Sequence, residues 1–223
     1  MNVERISAFS IDGAGGNPAG VMIADKHPSA DDMLRIAAEI GYPETAFLEP
    51  KGDAWRVRYF APQMEVLFCG HATIALGAHH GAGVYPLSLN EADISVEAFE
   101  SDDGWSAALT SPPTNELTPD PDLVSGVWKV FGITDDDLVA DIPISRISAG
   151  ADMIMIPLKS RARLAKLDYD IAAGADLLNA HKIIGAYFIF KEPDDRYQVR
   201  MAFPTGGIFE DPATGAAAAA LSG

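Results

Sequence analysis

Arg58-Tyr59-Phe60-Ala61-Pro62, running on to Phe68 and Ala72-Thr73, is echoed in the second half of the chain by Arg200, Pro204, Phe209 and Ala213-Thr214, with one residue fewer between Pro and Phe. Small residues follow both copies: Ile74-Ala75-Leu76-Gly77-Ala78 in the first, Gly215 through Ala220 and Leu221 in the second. A strand, a turn and a helix of Ala and Gly is the pattern of a helix narrow enough to be enclosed by a sheet. Two such copies predict a duplicated lobe, with both helices delivering an N-terminus to a cleft between them. Agreement at a few spaced positions, most of them common residue types, also arises by chance, so the echo needs support from elsewhere in the chain.

Composition sets the class. The chain has 223 residues, 48% hydrophobic and 9% aromatic, enough to bury a substantial core as one large domain or two small lobes. Acidic residues outnumber basic ones 32 to 16, a formal charge of −16, and the resulting field repels phosphate backbones and anionic lipid. Neither nucleic acid nor membrane is an expected partner. A small anionic substrate meets the same field and must be held by local donors such as helix termini. Cys69 is the only cysteine, which excludes an internal disulfide. The N-terminus lacks the basic and apolar regions of a signal peptide, and no apolar run approaches the roughly 20 residues of a membrane-spanning helix. A soluble, cytoplasmic protein is expected.

Along the chain, Val3–Ile11 reads as a strand, followed by the Gly-rich turn Asp12–Pro18 and a second strand over Gly20–Ala24. Ser29 caps a predicted helix over Ala30–Ile40, stopped by Gly41. Strands are expected at Glu44–Leu48 and Trp55–Phe60, a helix from about Gly70 to Gly81, then strands at Ile94–Phe99 and Trp105–Leu109. The Pro-rich segment from Ser111 to Pro121 reads as a linker, dividing the chain into lobes 1–115 and 116–223. The second half predicts helices at Asp122–Phe131, Ala162–Lys166 and Ile171–Asn179, with strands at Ile142–Ser148, Met153–Pro157, Ile184–Lys191 and Tyr197–Ala202, an order that echoes the first half only loosely. Antiparallel pairing fits better than strict βαβ alternation. Asp102-Asp103 and Asp135-Asp136-Asp137 read as solvated turns, because no Gly and bidentate Glu follow at calcium-loop spacing.

Three residues stand out chemically. Strand alternation puts Glu44 on one face with Ala46 and Leu48. A carboxylate there has its charged form disfavoured, which suits a general base; a strand-end Glu reaching solvent is the plainer alternative. His71 lies at the start of the first narrow helix, where free amides favour an anion, and it either relays a proton or merely packs. Asp211-Pro212 reads as an N-cap and first helical residue of the second narrow helix, which explains it structurally, while a functional reading has Asp211 facing Glu44 and His71 across the cleft. His79 and His80 fall more than two turns beyond His71, and no second cysteine completes a closed tetrahedral set, so no metal is expected. Gly13-Ala14-Gly15-Gly16-Asn17-Pro18 fails the dinucleotide fingerprint, and no Gly-x-Ser-x-Gly marks a serine hydrolase.

Taken together, Asn17-Pro18-Ala19-Gly20-Val21, Glu44-Thr45-Ala46-Phe47, Arg58 to Thr73 and Glu210 to Gly215 resemble the phenazine biosynthesis PhzF-like family, a branch of the diaminopimelate epimerase-like fold. That resemblance implies an α+β protein of two pseudo-symmetric lobes, each an open, mostly antiparallel β-barrel around a central helix, usually in a homodimer. It also implies a cofactor-independent isomerase. The positions matching the family's acid/base group and its helpers are Glu44, His71 and Asp211, with Asn17, Gly70, Ala72, Thr73, Thr214, Gly215 and Ala216 around a small carboxylate-bearing substrate. No cofactor and no metal are implied. A two-thiol racemase is excluded by counting cysteines.

Two departures from the family pattern matter. Ala216 stands where the family often has a serine able to contact substrate, and the family normally continues past this helix with strands that complete the second lobe. The chain is therefore expected to be incomplete at its C-terminus. These departures motivate a rival to the enzyme reading, a catalytically weakened metabolite-binding or regulatory member of the same fold.

Overall fold

The computed structural model describes residues 2–11, 14–102, 104–194 and 196–222. Asp12 and Gly13 of the Gly-rich turn, Asp103 of the first acidic turn and the terminal Gly223 lie outside the described residues. The elements are β1 (Glu4–Ala8), β2 (Asn17–Ile23), α1 (Ala30–Ile40), β3 (Glu44–Lys51), β4 (Ala54–Phe60), β5 (Glu65–Val66), α2 (Gly70–His80), β6 (Gly83–Ser88), β7 (Asp93–Ser101) and β8 (Gly104–Thr110). They continue with β9 (Asn115–Leu117), α3 (Pro121–Phe131), β10 (Ser145–Ser148), β11 (Asp152–Pro157), α4 (Arg161–Ala165), α5 (Ile171–Ala180), β12 (Gly185–Lys191), β13 (Tyr197–Ala202), β14 (Glu210–Asp211) and α6 (Gly215–Ser222).

Two sheets result. The first is eight-stranded, in the order β1-β2-β3-β4-β6-β7-β8 with β5 paired to β4; the second runs β14-β13-β12-β11-β10-β9. Pairing is antiparallel except at β2–β3, β4–β6 and β11–β12. The second half repeats the first more closely than its sequence suggests. An antiparallel pair (β1–β2, β10–β11) leads through a helical crossover to a parallel neighbour (β3, β12), then to an antiparallel strand (β4, β13), a two-residue return strand (β5, β14) and a narrow helix (α2, α6). The sequence echo is only partly in register with this repeat. Arg58 and Arg200 occupy matching strands, and each binds the glutamate of its return strand, Glu65 at 2.7 Å and Glu210 at 2.8 Å. Phe68, however, follows β5, whereas Phe209 precedes β14; Ala72-Thr73 lies inside α2, whereas Ala213-Thr214 precedes α6. Those two agreements are coincidental.

The Pro-rich stretch is more than a linker. It contains β9, paired to β10, and its end supplies the cap of α3, where the Asp120 carboxylate accepts from the Asp122 amide at 2.9 Å and Pro121 takes the first helical position. Strand β6 lay outside the expected set because Pro86 interrupts its pattern.

Packing explains the layers. Met33 and Ala37 of α1 bury against Met22, Phe47 and Phe60 on the outer face of the first sheet. Helices α3, α4 and α5 cover Ile154, Ile156, Ala186, Phe188 and Ala202 on the outer face of the second. The inner faces of both sheets share one cluster with α2 and α6, from Ala46, Leu48 and Tyr59 to Met155, Tyr187 and Met201. Enclosure is why α2 carries small residues: a Cβ on Gly77 would come 2.8 Å from Val96 and 3.2 Å from Ala107. No described helix is long and apolar enough to cross a membrane.

Candidate active site

The two narrow helices meet end to end. A Cβ on Gly70 would sit 2.9 Å from the Gly215 Cα, and one on Gly215 would sit 3.1 Å from the Gly70 Cα, so only glycine lets these N-termini touch. In α2 the first intrahelical amide bond is from Thr73 to the Cys69 carbonyl at 3.1 Å, and in α6 the Thr214 carbonyl accepts from Ala218 at 3.1 Å. The amides before these, on Gly70, His71 and Ala72 and on Gly215, Ala216 and Ala217, are the ones a helix start leaves without intrahelical acceptors.

Glu44 begins β3, paired to β2 at Ala19. Its alternation partners Ala46 and Leu48 belong to the inner core, so the carboxyl points inward and is 5% exposed. Burial, reinforced by the Asp211 charge, pushes the Glu44 pKa well above the usual carboxylate range. His71 is 1% exposed, and burial pulls its pKa below the ordinary imidazole value against an opposing pull from Asp211. Burial thus disfavours the charged form of both groups, and His71 Nε2 and Glu44 Oε2 lie 3.6 Å apart. That separation exceeds a hydrogen bond, and neither buried atom has a hydrogen bond of ordinary geometry among the described residues, although the Cys69 thiol lies against the Glu44 carboxyl and the Pro18 backbone against the His71 ring. Cys69 lies beside both, with Sγ 3.3 Å from His71 Nδ1, and burial together with Glu44 pushes its thiol pKa up.

Asp211 faces this group from the other lobe but is not the N-cap expected from sequence. It ends β14, and α6 starts only at Gly215, because pairing with Met201 holds Asp211 in the sheet. It is 4% exposed and accepts from the Asn17 side chain at 2.5 Å and from the Thr214 hydroxyl. Asn17 also donates to the Ala213 carbonyl at 3.0 Å, so both its donor contacts clamp the first lobe onto the second, leaving its buried Oδ1 without a partner among the described residues. The Thr73 hydroxyl is likewise committed, 2.7 Å from both the Tyr59 hydroxyl and the Cys69 carbonyl. Thr73 and Thr214 thus serve the framework with their hydroxyls. Ala216 is buried and brings no polar side chain.

Sequence reasoning brought Glu44, His71 and Asp211 to one place but missed two neighbours. Tyr187 on β12 is 3% exposed, and burial with the nearby Asp211 charge pushes its pKa up to about 12. Cys69 was weighed with His71, His79 and His80 as a metal set and set aside for want of a closed tetrahedral set; its proximity to Glu44 depends on β3 pairing and has no local signal.

A sequence model of the PhzC-PhzF family, described as "Phenazine biosynthesis-like protein", matches residues 6–223. The Escherichia coli K12 protein named "Uncharacterized isomerase YddE" is 33% identical over 228 residues, covering 96% of this chain and 75% of that protein. The Bacillus subtilis protein named "Uncharacterized isomerase YfhB" is 30% identical over 233 residues, covering 98% of this chain and 78% of its own length. Among solved structures, a Pseudomonas aeruginosa protein described as a "Predicted Epimerase" superposes with a TM-score of 0.81 at 22% identity over 99% of this chain and 79% of that one. The chain therefore belongs to the phenazine biosynthesis-like (PhzC-PhzF) family and is an enzyme of the isomerase type.

Proposed function

We propose that the chain moves a proton between carbons of a small carboxylate-bearing metabolite, with Glu44 as general acid/base. The observation that carries this reading is the Glu44 carboxyl, buried and unpartnered at Oε2, 3.6 Å from His71 Nε2 beside the meeting helix N-termini. A carboxyl whose pKa is raised toward the working pH can take a proton from one carbon as carboxylate and return it to another as acid. The helix-start amides of Gly70, Gly215 and Ala216 are suited to the substrate carboxylate and to charge that spreads onto it during transfer, while the Ala72 amide faces the Cys69 sulfur. His71, neutral at neutral pH, is suited to hydrogen-bond the substrate or pass the proton on. Asp211 acts at one remove: its oxygens are taken by Asn17 and Thr214, and its charge favours the protonated form of Glu44. The division into lobes near residue 115, a cytoplasmic biosynthetic role and a homodimer belong to the same reading, the last measurable by light scattering. With Glu44, His71 and Asp211 each no more than 5% exposed, turnover requires the lobes to part for substrate entry.

Deuterium uptake by a turning-over substrate in deuterated water tests the assignment. Replacing Glu44 by Gln abolishes uptake if the reading holds; unchanged uptake sinks it. The apolar Ala216 favours a second reading, a binding protein without turnover, which a tightly bound metabolite that exchanges no deuterium would support.

A further inference from the structure

We propose that Glu44, Cys69 and His71 form an open three-ligand site for a borderline-soft divalent cation of the Zn²⁺ class. One ligand atom from each residue lies within 4.8 Å of the others, and all three residues are buried. The near approaches, 3.3 Å from Sγ to Nδ1 and 3.6 Å from Oε2 to Nε2, run to opposite nitrogens of one ring; through a single nitrogen the three ligand atoms lie within 4.8 Å and close on binding toward the ~3.3–3.8 Å between ligands on a tetrahedral zinc. Glu44 Oε2 and His71 Nε2 are buried without partners among the described residues, and such atoms are costly until something satisfies them. A cation between them does so. One imidazole nitrogen serves a given cation, so coordination requires the three side chains to draw together around that nitrogen. The Cys69 thiol proton and the Glu44 carboxyl proton both leave to solvent on coordination.

Three protein ligands of sulfur, nitrogen and oxygen with a fourth position open is the ligand count of exchangeable zinc sites rather than of closed structural ones. Counting cysteines and histidines along the sequence addresses only the closed kind. The donor set favours Zn²⁺ and Co²⁺ over Mg²⁺ and Ca²⁺, which take all-oxygen shells. The consequence rests on the function proposed above: a Glu44 carboxylate bound to a cation cannot exchange protons with substrate, so occupancy switches turnover off.

Titration of the full chain with Co²⁺ alone, under reducing conditions, tests the site independently of turnover. The expected result is a thiolate-to-cobalt charge-transfer band saturating at one equivalent, lost in Cys69→Ala and in His71→Ala and retained in the control His79→Ala. A band that survives Cys69→Ala, or no band at large excess of Co²⁺ in folded protein, overturns the site. In the second arm, saturating Zn²⁺ lowers turnover at least tenfold and a chelator restores it. Full turnover with the cobalt band present would leave the site standing and overturn Glu44 as the acid/base.

Discussion

Glu44 gives the most direct test at the scale of single residues, because its burial has opposite consequences for chemistry and for folding. Glu44→Gln keeps the shape and removes the titration, so turnover falls by about 10²–10⁴, the usual worth of a positioned acid/base. Stability moves the other way. The folded carboxyl has a raised pKa, so between the ordinary value of 4.5 and the raised one the native state holds a proton that the unfolded chain has released. Wild-type stability therefore falls as pH rises through that window, relative to the Gln variant. Urea midpoints of the two proteins are expected to diverge from pH 4.5 up to the raised pKa and to stay apart above it; no divergence anywhere would mean the carboxyl titrates normally. The alternation of Glu44 with Ala46 and Leu48 made its inward face legible in the sequence. The closeness of Cys69 and the charge of Asp211 were not, because both arrive through pairings between distant strands.

Among the elements, the helix junction is the sharpest constraint. Gly70→Ala or Gly215→Ala brings a methyl group against backbone rather than against a side chain that can rotate away. Each is expected to cost about 1–3 kcal/mol, read from denaturant unfolding, and to weaken activity further by spreading the amides that hold the anion. The paired arginines are more forgiving. Arg58 with Glu65, and Arg200 with Glu210, are each about a quarter exposed (22%/24% and 22%/28%) and bidentate, so Arg58→Ala is expected to cost about 1–2 kcal/mol in the same assay. Legibility followed how self-contained an element is. Helix α1 has its Ser29 cap, its buried Met33 and Ala37, and its Gly41 stop within its own sequence, and it ran as expected. The return strands β5 and β14 have two residues each, too few to show a period, and without them the repeat was aligned wrongly past its prolines.

Across the whole molecule, the formal charge of −16 opposes an anionic substrate while the helix ends attract it. Screening weakens the long-range repulsion more than the short-range contact in a buried site. Raising ionic strength from about 10 to 150 mM is therefore expected to lower KM for a carboxylate substrate with little change in kcat; a KM that rises with salt would mean that local positive potential dominates the approach. The duplicated architecture was visible in outline because each half contains a narrow small-residue helix. Its depth was not, since the matching crossovers use one helix in the first half and two in the second.

Gly70 resting on Gly215 means that a position meets its own counterpart, and this happens only where a local two-fold axis passes between them. Atoms on that line must be small on both sides, so duplication preserves them in pairs. Groups a few ångströms away face no such rule: counting from the helix starts, His71 corresponds to Ala216, and the strand residue Val66 to Asp211. Divergence off the axis is thus what lets a symmetric frame set a histidine on one side of the junction and a carboxylate on the other.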